Sequence, residues 1–220
     1  MTEHLVALLL CPSATAVDNL AREGITRDVH LVGDVIADAL NLAVEQARAR
    51  SDILNRLRFV AQGYLLATVY CAENTDDPAR LRAILSAFDA LDEPLVFSVH
   101  PRTRKLMESY QPPTHVQLIE PLGYLDMVRL EQAARLILTD LGGIQKEACW
   151  LGVPCITLRD ETEWVETVEA GWNILVGANT VQILTAIQKF ISPIERPLLY
   201  EGDGHAAERC VISLAEHISL

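Results

Sequence analysis

Short apolar runs alternate with single helical patterns along almost all of this 220-residue chain, and that alternation leaves few folds open. The predicted strands are Leu5–Leu10, Val29–Val32, Tyr64–Val69, Leu95–Val99, Val116–Ile119, Leu136–Thr139, Pro154–Leu158 and Asn173–Val176. Between them lie helical patterns over Ala14–Glu23, Val35–Arg50, Pro78–Leu91, Thr103–Ser109, Tyr124–Ala134, Ile144–Leu151, Val165–Ala170 and Thr180–Ile191, with a last one over Ala206–Leu220. Strands apolar on both faces, each followed by one helix, belong in a parallel sheet covered on both sides. Right-handed crossovers then predict an α/β, doubly wound, Rossmann-like domain. Ser13 and Asp34 stand where N-caps belong, and Gly24 where a C-cap belongs.

Half of the residues are hydrophobic and only 22% are charged, so a packed core is expected and disorder is not. The longest apolar run, Leu5 to Cys11, is too short to cross a bilayer and no signal-peptide layout precedes it, which predicts a cytoplasmic protein. A net charge of −12 argues against a nucleic-acid or anionic-membrane partner. Cysteines 11, 71, 149, 155 and 210 are odd in number and share no CxxC spacing. Neither a metal site nor a disulfide framework is expected, and Cys149 and Cys155 read as small buried hydrophobes.

The segment from Leu138 to Gly177 carries the most chemistry. A short strand runs into Asp140-Leu141-Gly142-Gly143, and a helix is predicted to open at about Ile144. Two glycines permit a tight turn, and the N–H groups at a new helix start favour an anion, commonly a phosphate. Glu147 lies one turn into that helix, within reach of polar groups on a ligand held there. On local sequence alone the glycine pair is equally a plain strand-to-helix connection. Two further segments, Tyr70-Cys71-Ala72-Glu73-Asn74 and His100-Pro101-Arg102, end predicted strands and fall on the same carboxyl rim, where doubly wound sheets hold ligands.

This block resembles the nucleotide-binding half of the non-hydrolysing UDP-N-acetylglucosamine 2-epimerases. Their pattern there is Asp-Ser-Gly-Gly-Ile/Leu-Gln-(Lys/Glu)-Glu-Ala, then Leu-Gly-Val-Pro, then Leu-Arg-Asp-Glu-Thr-Glu-Trp. Leu31-Val32-Gly33-Asp34-Val35, Ala72-Glu73-Asn74-Thr75-Asp76, Val99-His100-Pro101-Arg102-Thr103 and Gly202-Asp203-Gly204-His205-Ala206 also resemble family segments, in family order. The resemblance implies two Rossmann-like domains facing each other across a cleft, the glycosyltransferase-B arrangement, with this chain covering the later half. Residues 1–32 would be a remnant of the end of the first domain, 33–205 the UDP-binding domain, and 206–220 a helix crossing back onto the first domain. The implied reaction is interconversion of UDP-N-acetylglucosamine and UDP-N-acetylmannosamine by elimination and re-addition of UDP, with no cofactor. The implied partners are UDP or a UDP-N-acetylhexosamine, and a homo-oligomer or a partner chain supplying the first domain.

Residue by residue, the resemblance places Tyr70 at the family's catalytic histidine and Cys71 at the neighbouring arginine. A phenol is a poor general base near neutral pH, and a thiol cannot supply an arginine's charge. The acids implicated in the proton chemistry belong largely to the first domain. Leu141 stands at the phosphate-turn serine; losing one hydrogen bond to a charged group, worth about 1.5–3 kcal/mol, would lower UDP affinity by more than about tenfold. The backbone donors of Leu141, Gly142 and Gly143 remain. Glu147 matches a glutamate that meets the ribose hydroxyls, Met127 and Leu122 match uracil-pocket positions, Trp164 matches a position near the diphosphate, and His100 and Arg102 face the cleft. By pattern alone Met127 and Leu122 are equally core residues. Two readings stay open: a family epimerase, and a catalytically inactive UDP-sugar-binding or structural subunit that pairs with another chain.

Overall fold

Continuous apolar strands need cover on both faces, and most of those predicted receive it in the computed structural model, which describes residues 2–191, 193–195, 199–201 and 203–218. The chain divides into two units, Met1–Ala43 with Leu198–Leu220, and Val44–Pro197. In the first unit β1 (Leu9–Cys11), α1 (Ala14–Arg22) and β2 (Val29–Leu31) form a parallel pair with its crossover helix, Leu9 lying opposite Val29. The predicted strand Leu5–Leu10 is therefore displaced: Thr2–His4 forms a 3-10 turn that Leu5 closes by donating its N–H to the Thr2 carbonyl at 2.9 Å, and Leu5 and Val6 stand exposed. Ser13 caps α1 by accepting from the Ala16 N–H at 3.2 Å, and the left-handed Gly24 follows its end at φ +82°. Asp34 Oδ1 accepts from the Ile36 N–H at 2.9 Å where α2 (Val35–Arg50) begins, the helix within which the first unit gives way to the second.

The second unit opens with α3 (Ile53–Leu57) and then runs β3 (Leu65–Thr68), α4 (Ala72–Thr75), α5 (Pro78–Asp89), β4 (Leu95–Ser98), α6 (Pro101–Leu106), β5 (Val116–Ile119) and α7 (Tyr124–Ala133). It continues through β6 (Leu136–Thr139), α8 (Gly142–Leu151), β7 (Cys155–Thr157), α9 (Val165–Glu169), β8 (Asn173–Leu175) and α10 (Thr180–Lys189). Helix α11 (Ala206–Ile218) belongs to the first unit, and the predicted residues 219–220 and Gly202 lie outside the described ones.

All six strands of the second unit are parallel, in the order β5-β4-β3-β6-β7-β8. Period-two alternation sends Leu65, Ala67, Leu95, Phe97, Leu136 and Leu138 into one core beneath α5 and α10, with Ile84, Phe88, Ile183 and Ile187. The intervening Leu66, Val96 and Ile137 enter a second core beneath α3, α7 and α8, with Ile53, Leu130 and Ala148. The sheet is thus doubly wound. Its strand order reverses between β3 and β6, and in open α/β sheets a crevice opens outside the carboxyl ends at that reversal.

The sequence pattern missed α3 and α4. Helix α6 also starts at Pro101 rather than Thr103, because His100 extends the cap and proline suits the first helical turn. Helix α8 starts at Gly142 rather than Ile144. Cys149 and Cys155 are buried, and no described helix is long and apolar enough to cross a membrane.

Candidate functional site

A cavity of about 460 Å³ opens at the strand-order reversal, lined by Thr68, Tyr70, His100, Leu122, Met127, Leu141 and Ile144 among others. Thr68 ends β3 and Thr139 ends β6; their hydroxyls meet at 2.6 Å, and Thr139 Oγ1 also accepts from the Leu141 N–H at 3.0 Å. The next residue, Asp140, is fully buried and straps the two strand ends together. Its carboxylate accepts from the Tyr70 N–H at 2.9 Å, the Cys71 N–H at 3.0 Å and Asn74 Nδ2 at 3.0 Å. Burial pushes this carboxyl above its ordinary value, and the donors from Asn74, Tyr70 and Cys71 pull it part of the way back.

Asn74 is spent on the same scaffold, since its Nδ2 also donates to the Leu158 carbonyl and its Oδ1 accepts from Arg80 Nε at 3.0 Å. Arg80 in turn pairs with Glu73 and Asp160, each at 2.8 Å. Glu73 and Asn74 thus hold the short helix α4 in place, and neither lines the cavity.

The start of α8 is built differently from a capped helix. Leu141 occupies the N-cap position with no side-chain cap bond. Among the described residues the N–H groups of Gly142, Gly143 and Ile144 find no acceptor, leaving three donors beside the cavity. Neither glycine has a positive φ, so the turn does not need their conformational freedom. Gly142 is required for another reason: a Cβ there would come within 2.5 Å of the Trp164 indole nitrogen. A Cβ at Gly143 would meet only open space. The Trp164 ring lies against the Lys146 ammonium, 3.8 Å from nitrogen to centroid, and Thr162 Oγ1 donates to Gln145 at 2.6 Å. The loop carrying Thr162 and Trp164 is thereby clasped to α8.

Of the residues singled out by sequence, Tyr70, His100, Leu122, Met127 and Leu141 gather around the one cavity. The Tyr70 and His100 rings meet edge to face at 4.2 Å, and His100 Nδ1 accepts from the Arg102 N–H as the cap of α6. Glu147 lies one turn beyond the cavity wall at Ile144, buried, with Oε1 accepting from the Tyr124 hydroxyl at 2.8 Å. Arg102 does not line the cavity; its guanidinium pairs with Asp76. Trp164 does not line it either.

Sequence reasoning missed Tyr124 and Glu131. Both lie on α7, seven residues apart and so on one face, and Glu131 is fully buried. An acid on the apolar stripe that also carries Met127 and Leu130 was the signal available.

A family model described as UDP-N-acetylglucosamine 2-epimerase matches residues 1–215. A UDP-N-acetylglucosamine 2-epimerase homolog of Methanococcus maripaludis is 45% identical over 219 residues, covering 96% of this chain and 61% of that protein. The UDP-2,3-diacetamido-2,3-dideoxy-D-glucuronate 2-epimerase of Pseudomonas aeruginosa is 40% identical, covering 98% of this chain and 62% of its own length. The crystal structure of Methanocaldococcus jannaschii UDP-GlcNAc 2-epimerase in complex with UDP-GlcNAc and UDP superposes with a TM-score of 0.87 at 38% identity, covering 98% of this chain and 62% of that one. The chain thus spans about 61% of the length of the curated relatives it matches.

Proposed function

The chain belongs to the UDP-N-acetylglucosamine 2-epimerase family, and from that premise we propose that its 44–197 unit binds the UDP moiety of a UDP-N-acetylhexosamine. The observation that carries this reading is the start of α8, where three open N–H donors lie in the turn whose Leu141 and Ile144 line the cavity at the strand-order reversal, Gly142 and Gly143 standing between them outside the lining. The uncapped helix end and its dipole favour a diphosphate. Leu122, Met127 and Ile144 offer apolar walls to a pyrimidine, and Glu147, one turn on, offers a carboxylate to the ribose hydroxyls. Tyr70 and His100, on the same rim, would face the sugar. The reaction served is the interconversion of UDP-N-acetylglucosamine and UDP-N-acetylmannosamine.

A second reading, a UDP-sugar-binding subunit without turnover of its own, is favoured by Tyr70 and Leu141. Each departs from the family residue that the chemistry uses. The first unit fits either reading as part of a larger domain. A parallel pair of three-residue strands is too small to stand alone, and Leu31, Val35, Ile36, Val211, Leu214 and Ile218 are exposed on that unit. We assign residues 1–32 and 206–220 to it, and its missing cover to a second copy or to a partner carrying a Rossmann-like domain.

The test is the thermal midpoint with and without millimolar UDP. A ligand at a hundred times its dissociation constant stabilises by about 2.7 kcal/mol, so weak binding is visible. UDP should raise the midpoint, and Leu141→Ser should enlarge the shift by restoring a hydroxyl and removing an apolar obstruction. No shift in either protein overturns the reading.

A further inference from the structure

We infer that Tyr124 is a positioning residue that holds Glu147 as the acceptor for the vicinal hydroxyls of a ribose ring, and that Glu131, buried on the same face of α7, is the neutral carboxyl that leaves Glu147 the anion. This rests on the reading of the site as a UDP site. Tyr124 donates to Glu147 Oε1 at 2.8 Å, which fixes the rotation of the carboxylate. Among the described residues no donor reaches Oε2, so its lone pairs are left for a ligand. Glu131, two turns along the same face of α7, is 0% exposed, and neither of its oxygens has a hydrogen-bond partner. A fully buried, unsolvated carboxyl with no donor has little structural value, because an apolar residue would fill the space without its desolvation penalty.

The two acids interact, and buried neighbouring carboxyls do not both ionise. The surroundings decide which keeps the proton. Burial, then the Glu147 charge, pushes Glu131 well up, and nothing pulls it back. Burial also raises Glu147, but the Tyr124 hydroxyl and the Lys146 ammonium on its own helix oppose the shift. Glu131 is therefore the neutral member and Glu147 the anion. Burial, reinforced by Glu147 and Glu131, raises the Tyr124 phenol, so it stays a donor. The other ionisable groups near the pair are Tyr64, Arg129, Cys149 and Cys155. The Tyr64 phenol, beside β3, is raised by burial and donates to the Leu130 carbonyl, with Arg129 acting on it from α7. The Cys155 thiol, on β7, is raised by burial, with Cys149 and Glu131 adding to the shift.

An anion held this way accepts from a 2′,3′-diol. It fails at the acid end, where Glu147 takes a proton. It fails again at the alkaline end, where Glu131 loses one and two anions face each other.

The experiment compares UDP with 2′,3′-dideoxyuridine diphosphate by calorimetry on the full chain from pH 5 to 9. The diphosphate titrates alike in both ligands, so the affinity ratio isolates the diol. The ratio should favour UDP near neutrality and fall at both ends. Tyr124→Phe should lower it about three- to tenfold. Glu131→Gln, neutral at every pH, should remove the alkaline fall and keep the acid one. General damage to the fold would weaken both ligands and leave the ratio unmoved. If both ligands bind equally in the parent protein, the positioning inference is overturned while the UDP reading stands. If neither binds at millimolar concentration, both are overturned.

Discussion

Removing the Asp140 carboxylate should loosen the rim of the site and destabilise the whole second unit. Three donor groups converge on it: the Tyr70 N–H, which reaches both oxygens at 2.9 and 3.1 Å, the Cys71 N–H and Asn74 Nδ2. Asp140→Ala leaves the Tyr70 and Cys71 N–H groups without an acceptor and Asn74 Nδ2 with only the Leu158 carbonyl, at about 1–3 kcal/mol for each bond lost. The carboxylate's own desolvation penalty disappears with it, and water entering the small void satisfies some of the loss. The net destabilisation should be about 3–5 kcal/mol, a large share of the ~5–15 kcal/mol that holds most domains together. Asp140→Asn keeps the shape but turns one acceptor into a donor facing donors, and should cost about 1–3 kcal/mol. Urea unfolding followed by circular dichroism gives both values, provided the denaturant slope is unchanged. Hydrogen exchange should localise the effect, with the Tyr70 and Cys71 amides accelerating beyond the global change. A loss below about 1 kcal/mol in both variants would show that the strap contributes little and that the strand ladder, the Thr68–Thr139 hydroxyl bond and packing hold β3 and β6 at this end.

Glu131 holds its proton in the native state and gives it up more readily when unfolded, so its contribution to stability is present below the ordinary glutamate value of 4.5 and lost as pH rises toward the folded value. Replacing Glu131 by leucine should therefore flatten the stability profile above about pH 4.5, removing a slope of at most about 1.4 kcal/mol per pH unit; urea midpoints at pH 5 and 8 measure it. Gly142→Ala drives a methyl group into the Trp164 indole and should cost about 1–3 kcal/mol while shifting tryptophan emission, and unchanged stability and emission would show that the loop yields freely. Light scattering at high concentration should report self-association through the exposed apolar side chains of the first unit, and a sharp monomer mass would count against that expectation.

The second unit's sheet was legible because its strands are uninterrupted apolar runs buried on both faces, as at Leu65–Thr68 and Leu136–Thr139. The first strand was misplaced because Leu5–Leu10 is apolar throughout, and only pairing with Val29–Leu31 selects Leu9–Cys11 from it. Helices α3 and α4 have five and four residues, too short for a 3.6-residue period to show. Within the site, residues that follow directly from strand ends were legible, since a parallel sheet brings every such end to one rim. Asp140 read only as part of a turn, because its partners are backbone N–H groups about seventy residues earlier, which no side-chain pattern announces. Glu131 escaped notice for the opposite reason: its meaning depends on a carboxyl from the neighbouring helix.

These omissions share a cause that bears on how the rim works. Most of the polar side chains at the carboxyl ends of β3, β4 and β6 are committed to one another: Asp140 to the Tyr70 and Cys71 N–H groups beyond β3, Asn74 to Asp140 and Leu158, Arg80 to Glu73 and Asp160, and Arg102 to Asp76. A side chain locked in such a network is costly to redirect toward a ligand, because each move strands a partner. Among the described residues the capacity left over includes three N–H donors at the start of α8, one carboxylate oxygen on Glu147, and the Tyr70 hydroxyl and His100 Nε2 on the cavity wall. Donors at one end and an acceptor one turn along match a ligand that is anionic at one end and hydroxylated nearby, as a nucleoside diphosphate is. Both lie on α8, so the helix sets the distance between them, while the Asp140 network fixes where the start of that helix stands on the rim, and substitutions that loosen Asp140 should weaken UDP binding by displacing it.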